Sequence, residues 1–238
     1  MQLNVVIPTF NEAETIGPLV ANLVNEGCIV LVIDDNSSDG TRKLASSNGA
    51  YVYHNKVRQG LAKSLLKGLK LALAWECDYV VTIDAGGSHN WESVFSMLTL
   101  ADSADLVIGS RFLPFSTYDN TKGKFFRPYI SRLAGFLCRI AQHGTKEKDW
   151  TSGFRIYRPD LVTALLKYEY NSTMHPIQIE LLARSNELGA TIKEYPINYI
   201  AGETQFNLRV ASEAFMIWLQ LLNHFSVRPK LTLREGIR

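Results

Sequence analysis

Short apolar runs and helical stripes alternate along the first half of the chain. Leu3 to Pro8 reads as a buried strand, and Thr9-Phe10-Asn11-Glu12 follows as a loop at its carboxyl end. A helix is predicted over Thr15 to Glu26, with Thr15 as N-cap, Pro18 in the tolerant first turn and Gly27 as the stop. Ile29 to Ile33 is a second strand, ending in Asp34-Asp35-Asn36-Ser37-Ser38-Asp39-Gly40-Thr41. A helix then runs to Asn48, with Gly49 as its stop, and Tyr51 to His54 forms a third strand. Leu61, Leu65, Leu69, Ala72 and Leu73 mark a helix over Leu61 to Trp75. Tyr79 to Ile83 is a strand, Trp91 to Ala101 a helix, and Asp105 to Gly109 a strand that delivers Ser110 and Arg111.

The second half is less regular. Pro114 to Lys124 is polar, rich in turn formers and without period, which predicts a mobile loop. Phe126 to Gln142 is predicted helical, with Arg127, Arg132 and Arg139 on it, and Lys146 to Asp149 a charged turn. A strand over Gly153 to Tyr157 and a helix over Asp160 to Leu166 follow. Next come a helix over Ile177 to Leu188 closed by Gly189, a strand over Thr191 to Tyr195, and an amphipathic helix over Leu208 to Phe225. The early alternation predicts one α/β domain over 1–227, with a mainly parallel central sheet and helices on both faces, followed by a basic tail over 228–238.

Composition narrows the class. The 238 residues are 46% hydrophobic and 20% charged with net charge +2, which suits a globular domain and makes a nucleic-acid partner unlikely. Cys28, Cys77 and Cys138 are widely spaced, so neither a zinc nor a redox motif is formed and reduced thiols in the cytoplasm are expected. The start has no basic segment before its short apolar run, against a signal peptide. The apolar run from Ala214 to Leu222 is too short to span a bilayer.

Candidate chemistry sits at the strand ends: Asn11 and Glu12, Asp34 and Asp35, Asp84, then Arg111. In an open parallel sheet, ligands bind beyond the carboxyl ends of the strands. Tyr79 to Ile83 runs into Asp84-Ala85-Gly86-Gly87-Ser88-His89, a carboxylate, two glycines, a hydroxyl and an imidazole. Such a turn can hold a divalent cation through Asp84, or simply connect strand to helix with Ser88 or Asn90 as a cap. No Gly-x-Gly-x-x-Gly, P-loop, Gly-x-Ser-x-Gly or His-Glu-x-x-His motif is present. Carboxylates near an arginine suit a nucleotide diphosphate bridged by a metal.

Val5 to Glu12 and Val32 to Thr41 resemble the opening of family-2 glycosyltransferases with the GT-A (Rossmann-like) fold. Ile108-Gly109-Ser110-Arg111, Asp149-Trp150-Thr151-Ser152-Gly153-Phe154-Arg155 and Gln178-Ile179-Glu180-Leu181-Leu182 resemble the polyprenol-phosphate (dolichol-phosphate) mannosyltransferase branch and its glucosyl relatives. The resemblance implies transfer of mannose or glucose, with inversion, from a nucleotide sugar of the GDP-mannose or UDP-glucose type to a polyprenyl phosphate. It implies a nucleoside site at Pro8, Phe10, Glu12 and Asp35, completed by Asp84, Ala85 and Gly86. Arg111, Arg127 and Ser131 correspond to acceptor-phosphate positions, and Gln178 and Glu180 to the sugar pocket. A solvated helix face is the alternative for Arg127 and Arg132. Asp149 is the candidate base if the acceptor is a hydroxyl, its other role being to orient Thr151 to Phe154.

Three departures from the family pattern matter. Gly86 stands where a second metal-binding acid is usual, so Mg²⁺ or Mn²⁺ on Asp84 and Ser88 is expected to be weak, substrate-supplied or dispensable. Gln205, in Gly202 to Asn207, stands where a phosphate-binding lysine is expected. After the last helix there is a basic tail where some relatives carry transmembrane helices, which points to a peripheral place on the cytoplasmic face of a membrane. Trp218 and the tail residues Arg228, Lys230, Arg234 and Arg238 suit such a surface, although the ordinary role of the helix is to cover the core. A soluble transferase acting on a hydroxyl of a glycan or modified nucleic acid, and a silent nucleotide-sugar-binding protein, are the competing readings.

Overall fold

The structure, a computed structural model, describes residues 1–119, 127–142, 144–201 and 208–224. Strands β1 (Leu3–Thr9), β2 (Ile29–Asp34), β3 (Tyr51–His54) and β4 (Tyr79–Thr82) alternate with helices α1 (Ala13–Asn25), α2 (Thr41–Ser47) and α3 (Leu61–Ala72). Helix α4 (Ser93–Leu98), strands β5 (Leu106–Ser110) and β6 (Thr117–Asp119), and helix α5 (Arg127–Ala141) follow. The chain continues through β7 (Arg155–Tyr157), α6 (Pro159–Leu165), α7 (Ile177–Glu187), β8 (Ile192–Pro196), β9 (Asn198–Ile200) and α8 (Leu208–His224).

Seven strands form one sheet in the order β3-β2-β1-β4-β7-β5-β8. It is parallel except for β7, which runs antiparallel between β4 and β5 with Arg155 opposite both Thr82 and Ile108. Every residue of β1 is buried, as expected for a central strand covered on both faces. Its side chains divide between two cores: Val6 joins the core under α3, α6 and α7, while Val5 and Ile7 join the core under α1 and α4. On α3, Gly68 lets the helix lie directly on the sheet, because a Cβ there would collide with Val6 and press Ile33.

The order reverses between β1 and β4, which pair with Val6 opposite Thr82. That reversal is a topological switch point, where the loops at the carboxyl ends of neighbouring strands diverge and leave a crevice. Glu12 follows β1 and Asp84 follows β4, so both border this crevice.

Several boundaries differ from the sequence expectations for physical reasons. Helix α1 starts at Ala13, with Glu12 rather than Thr15 at the N-cap. The β2–α2 loop supplies the cap from outside: Thr41 Oγ1 accepts from Glu12 N at 2.8 Å and Asp39 Oδ2 from Ala13 N at 3.0 Å. Pro18 therefore lies inside the helix, beyond its first turn. Helix α3 ends at Ala72, short of Trp75, and buried Asn4 donates to the carbonyls of Ala72 (2.8 Å) and Trp75 (3.3 Å). The helix expected over Trp91 to Ala101 is a shorter α4 and a 3-10 turn, Ala101–Ser103.

The stretch from Pro114 to Lys124 is not all loop. Thr117–Asp119 forms β6 and pairs in parallel with β9, giving a second, two-stranded sheet; residues 120–124 lie outside the described residues. Along α8, Ile217 and Leu221 enter the core, while Phe215, Met216 and Leu222 are exposed. Trp218 donates its indole N–H to the Leu137 carbonyl of α5 at 3.1 Å, so it serves helix packing rather than a free surface. Residues 202–207 and 228–238, with Gln205 and the basic tail, lie outside the described residues, as does the boundary between domain and tail.

Gly68→Ala is expected to lower unfolding stability by about 1–3 kcal/mol through overpacking. Urea denaturation followed by circular dichroism measures this, with an unchanged slope expected because the exposed area on unfolding is unaltered.

Candidate active site

The β1–α1 loop is held by the β2–α2 loop. Asn11, at φ 55, donates its N–H to Ser37 Oγ and accepts from Ser38 N. Pro8 is buried in β1, and Phe10 emerges half-buried. The guanidinium of Arg58 lies 3.7 Å from the centre of the Phe10 ring, a cation–π contact. Arg58 was not among the residues read from sequence, since nothing in a polar turn distinguishes it before the fold stacks it on Phe10.

Asp35 is buried and largely committed. Its Oδ1 accepts from Asn55 Nδ2 (2.9 Å) and Gln59 N (2.8 Å), and its Oδ2 from Gly60 N (2.8 Å). A carboxylate has about four lone-pair sites, so roughly one is left for a ligand. The neighbouring Asp34 is bound by His54 Nδ1 at 2.9 Å.

Asp84 opens onto the crevice with its side chain 43% exposed. His89 Nε2 lies 3.3 Å from its Oδ2. Burial opposes its charge, but the His89 hydrogen bond and the fields of His89, His175 and Arg111 prevail and hold its pKa below the usual carboxylate value. The His89 ring is buried between Phe154 and Tyr199, with centroids 5.0 and 5.2 Å away. The small sheet fixes this turn, because Ile200 N donates to Ser88 O at 2.9 Å and His89 bridges to Tyr199. Ala85 is buried, and the Ser88 hydroxyl makes no hydrogen bond among the described residues. Tyr199 and β9 were missed in the sequence, where Asn198 to Ile200 is too short to show a period.

Arg111 and Asp149 form a buried pair. The carboxylate takes Arg111 N (2.9 Å) and Nε (2.7 Å) on Oδ2, and Nη2 (2.6 Å) on Oδ1. Thr151 N and Ser152 N also donate to Oδ1. Burial would raise the Asp149 pKa, but the Arg111 charge and these donors hold it well below the ordinary value. Asp149 is 0% exposed and its lone pairs are taken by these donors, so in this geometry it orients the Thr151 turn and Arg111. Arg111 Nη2 also reaches Thr151 Oγ1, while Nη1 makes no hydrogen bond among the described residues. The guanidinium stands 5.1 Å from the Tyr199 ring centre, which links it through His89 to Asp84.

The remaining candidates divide. Gln178 comes to the crevice: its Nε2 and Asp84 Oδ1 lie 3.2 and 3.0 Å from where a Cβ on Gly153 would sit. Its Oε1 is buried without a partner. Glu180, expected in the same pocket, accepts from Asn171 N (3.0 Å) and Ser172 N (2.9 Å), one donor on each oxygen. Arg127 opens α5 and Ser131 stands one turn on; the Arg127 side chain lies outside the described residues. Arg132 is exposed on α5, as a solvated helix face predicts, and its guanidinium lies 5.1 Å from the centre of the Phe112 ring, which Arg111 also approaches.

Divalent metal chemistry fits the residues in a limited way. Among the described residues no three His, Cys, Asp or Glu side chains are grouped to hold an ion. Mg²⁺ sites on phosphate ligands often use only one or two carboxylates, with phosphate oxygens and water completing the shell. Asp84 supplies one such oxygen donor. Both Glu12 oxygens lie 3.4 Å from the point where a Cβ on Gly86 would sit, so a second carboxylate faces that turn. Burial pushes the Glu12 carboxyl above its usual pKa; the Thr15 hydroxyl opposes this, and the charges of Asp84, Asp39 and Glu14 add to it.

A mainly parallel sheet with an inserted antiparallel strand, carboxylates at its switch point and a small second sheet define the GT-A class of transferase fold. The glycosyl transferase family 2 profile matches residues 4–165. The chain is 32% identical over 225 residues to the undecaprenyl-phosphate mannosyltransferase of Micrococcus luteus, covering 90% of this chain and 91% of that one. It is 32% identical to the polyprenol monophosphomannose synthase of Mycolicibacterium smegmatis, over 84% of this chain and 77% of the relative. Among solved structures, glucosyl-3-phosphoglycerate synthase from Mycobacterium tuberculosis, in complex with Mn²⁺, UDP and glucosyl-3-phosphoglycerate, superposes with TM-score 0.69. That match has 20% identity and covers 96% of this chain and 81% of the other. The chain belongs to glycosyl transferase family 2 and is a glycosyltransferase.

Asp149→Asn is expected to destabilise the fold by about 3–5 kcal/mol, because it leaves Arg111 buried without its counter-charge. A depressed carboxyl contributes stability above its unfolded pKa of about 3.9 and loses it as pH falls through the folded value. The gap between wild type and variant should therefore be widest at neutral pH and close progressively below about pH 4. Denaturation at a series of pH values measures it.

Proposed function

We propose that this chain is an inverting transferase that moves a hexose, mannose in the first instance, from a nucleotide sugar to a polyprenyl phosphate at a membrane surface. The activities named for two of its relatives, the mannosyltransferase and the monophosphomannose synthase, support the sugar and the acceptor. The observation that carries the reading is Arg111, held rigid by Asp149 with its Nη1 edge uncommitted, linked through Tyr199 and His89 to Asp84 and sharing the Phe112 ring with Arg132 of the helix that carries an exposed apolar face.

That face lies on α5. Tyr129, Leu133, Phe136 and Ile140 recur at helical spacing and are 58%, 57%, 50% and 54% exposed. Phe215 and Met216 of α8 add to the exposed apolar surface of this helix pair, which the Trp218–Leu137 hydrogen bond holds together. So much exposed apolar area on one helix marks an interaction surface. A lipid-linked acceptor suits it, since the prenyl chain stays in the bilayer while its phosphate reaches Arg111. Among the described residues no helix is long and apolar enough to cross a membrane.

In the reaction an acceptor phosphate oxygen attacks C1 of the sugar on the face opposite the diphosphate. The C1–oxygen bond to the diphosphate breaks, its electron pair leaves with the nucleoside diphosphate, and the anomeric centre inverts. Arg111 orients the acceptor phosphate with its free donors and, being fixed beforehand, loses little freedom on doing so. The acceptor is already an anion, so no base is required, in keeping with the saturation of Asp149. Pro8, Phe10 and Asp35 receive the nucleoside and Gln178 faces the sugar. Mg²⁺ or Mn²⁺, when bound, offsets charge on the leaving diphosphate. Transfer to a soluble hydroxyl is the weaker reading, because the carboxylate nearest Arg111 has no lone pair to give.

The test incubates the protein with radiolabelled GDP-mannose or UDP-glucose and a short polyprenyl phosphate in detergent. Label is expected in the organic phase with GDP-mannose. Label passing only to water or to a soluble alcohol rejects the lipid acceptor. On liposomes, the double change Leu133→Glu and Phe136→Glu is expected to reduce flotation with anionic vesicles several-fold and leave nucleotide affinity unchanged. Equal flotation of wild type and variant rejects the α5 face as the lipid contact.

A further inference from the structure

We propose that Glu12 supplies the second metal-binding carboxylate that position 86 lacks. The inference rests on the reading of the crevice as a nucleotide-diphosphate site. Gly86 has no side chain to offer, yet the space where one would start is bordered by Glu12. Both carboxylate oxygens stand 3.4 Å from the ideal Cβ position, closer than any other group around that point. An acid at 86 would project its oxygens into the region Glu12 already occupies.

Four further observations agree. Glu12 comes from β1 and Asp84 from β4, adjacent strands, so the two carboxylates flank the switch-point crevice from opposite sides. The Glu12 backbone is anchored: its N–H goes to Thr41 Oγ1, and its carbonyl receives Thr15 N and Ile16 N. A glutamate rooted in this way can present its carboxylate across the gap at small entropic cost. The carboxylate itself has only a 3.4 Å contact to Thr15 Oγ1, which leaves most of its lone pairs free. On the other flank of Asp84, the Gln178 amide has a buried oxygen with no partner, in a site otherwise rich in satisfied polar groups. Two carboxylates and the diphosphate oxygens make the hard oxygen set that Mg²⁺ and Mn²⁺ prefer.

This arrangement separates the two functions of the motif along the chain. A metal ligand that the family keeps in the β4 turn is carried here by the β1 loop, next to Phe10. Metal and nucleoside are then gripped by the same short segment, Phe10 to Glu12.

The test uses the full-length protein and Mn²⁺ with GDP or UDP, whichever binds, measured by electron paramagnetic resonance of free Mn²⁺ with a nucleotide-only control. Metal-free nucleotide affinity is measured alongside by calorimetry. Glu12→Gln, which keeps size and the Thr15 contact, is expected to weaken Mn²⁺ binding to the protein–nucleotide complex tenfold or more. Its effect on metal-free nucleotide affinity should be much smaller. Gly86 is not at positive φ, unlike Gly87 at φ +68, so Gly86→Asp is sterically permitted. In a Glu12→Ala background, which vacates that space, Gly86→Asp is expected to restore most of the Mn²⁺ affinity that Glu12→Ala loses. In the wild-type background it should gain far less, since the space already holds a carboxylate, and the two changes should be strongly non-additive. Unchanged Mn²⁺ affinity in Glu12→Gln overturns the proposal. So does an equal loss of metal-free nucleotide affinity without rescue by Gly86→Asp, which assigns Glu12 to the nucleotide instead. If neither GDP nor UDP binds to wild type, the nucleotide-site reading fails, and the assignment of Glu12 is overturned with it.

Discussion

A carboxylate with no exposure to water must be surrounded by donors, and at Asp149 that requirement organises the Arg111 end of the crevice. Its oxygens draw in the Arg111 backbone and guanidinium from the end of β5 and the Thr151 and Ser152 amides from the turn before β7. The amides of Lys148 and Asp149 are themselves bound by Glu194 of β8, at 2.9 Å each. Three neighbouring strands are therefore tied at one point. Helix α5 joins them because Gly135 has no Cβ to strike the Lys148 carbonyl, 3.0 Å from where one would be. Removing either charge would leave the other buried, so the pair acts as one structural unit. The exposed apolar face of α5 and the guanidinium of Arg111 thus belong to a single packed assembly.

A second buried cation works without a counter-charge. Arg155 is 0% exposed and, among the described residues, none of its hydrogen bonds goes to a carboxylate. It donates to the carbonyls of Ser152, Trp150 and Gln178 and to the Tyr157 hydroxyl. Carbonyl dipoles replace an anion here, and they bind the Asp149 turn to the start of α7. The residue that presents Gln178 to Asp84 and the turn that holds Arg111 share this one guanidinium.

The alternation of elements was legible because buried parallel strands and amphipathic helices carry their own periods. The strand-end carboxylates were legible as a group, because one edge of a parallel sheet gathers the residues that leave each strand. What each carboxylate does was not legible. How far Asp35, Asp149 and Glu180 are committed to the protein itself cannot be read until their partners, the amides of Gln59, Thr151 and Ser172, are folded against them. Those partners are backbone groups, which leave no mark in a sequence. Short β6 and β9 were missed for a related reason: three residues each show no period, and their pairing joins positions far apart in the chain. The start of α1 was misjudged because its cap comes from the β2–α2 loop rather than from its own preceding residues.

The turn before α7 joins the two ends of the site. Glu213 of α8 accepts from Thr173 N (2.6 Å), Thr173 Oγ1 (2.8 Å) and Met174 N (3.0 Å). The Thr173 carbonyl in turn accepts from Ala62 N and lies 2.6 Å from where a Cβ on Gly60 would sit. Only glycine meets both conditions at 60, a φ of +90 and that close approach, and Gly60 N is one of the donors that fix Asp35. The helix that borders the apolar surface is therefore three contacts from the Asp35 carboxylate. Each link is a hydrogen bond or a close backbone approach. The Gln59–Gly60 turn also carries Arg58 onto Phe10. The fold thus uses one side-chain cap on α8 to position the aromatic stack and the Asp35 loop together, although these elements lie on opposite ends of the sequence.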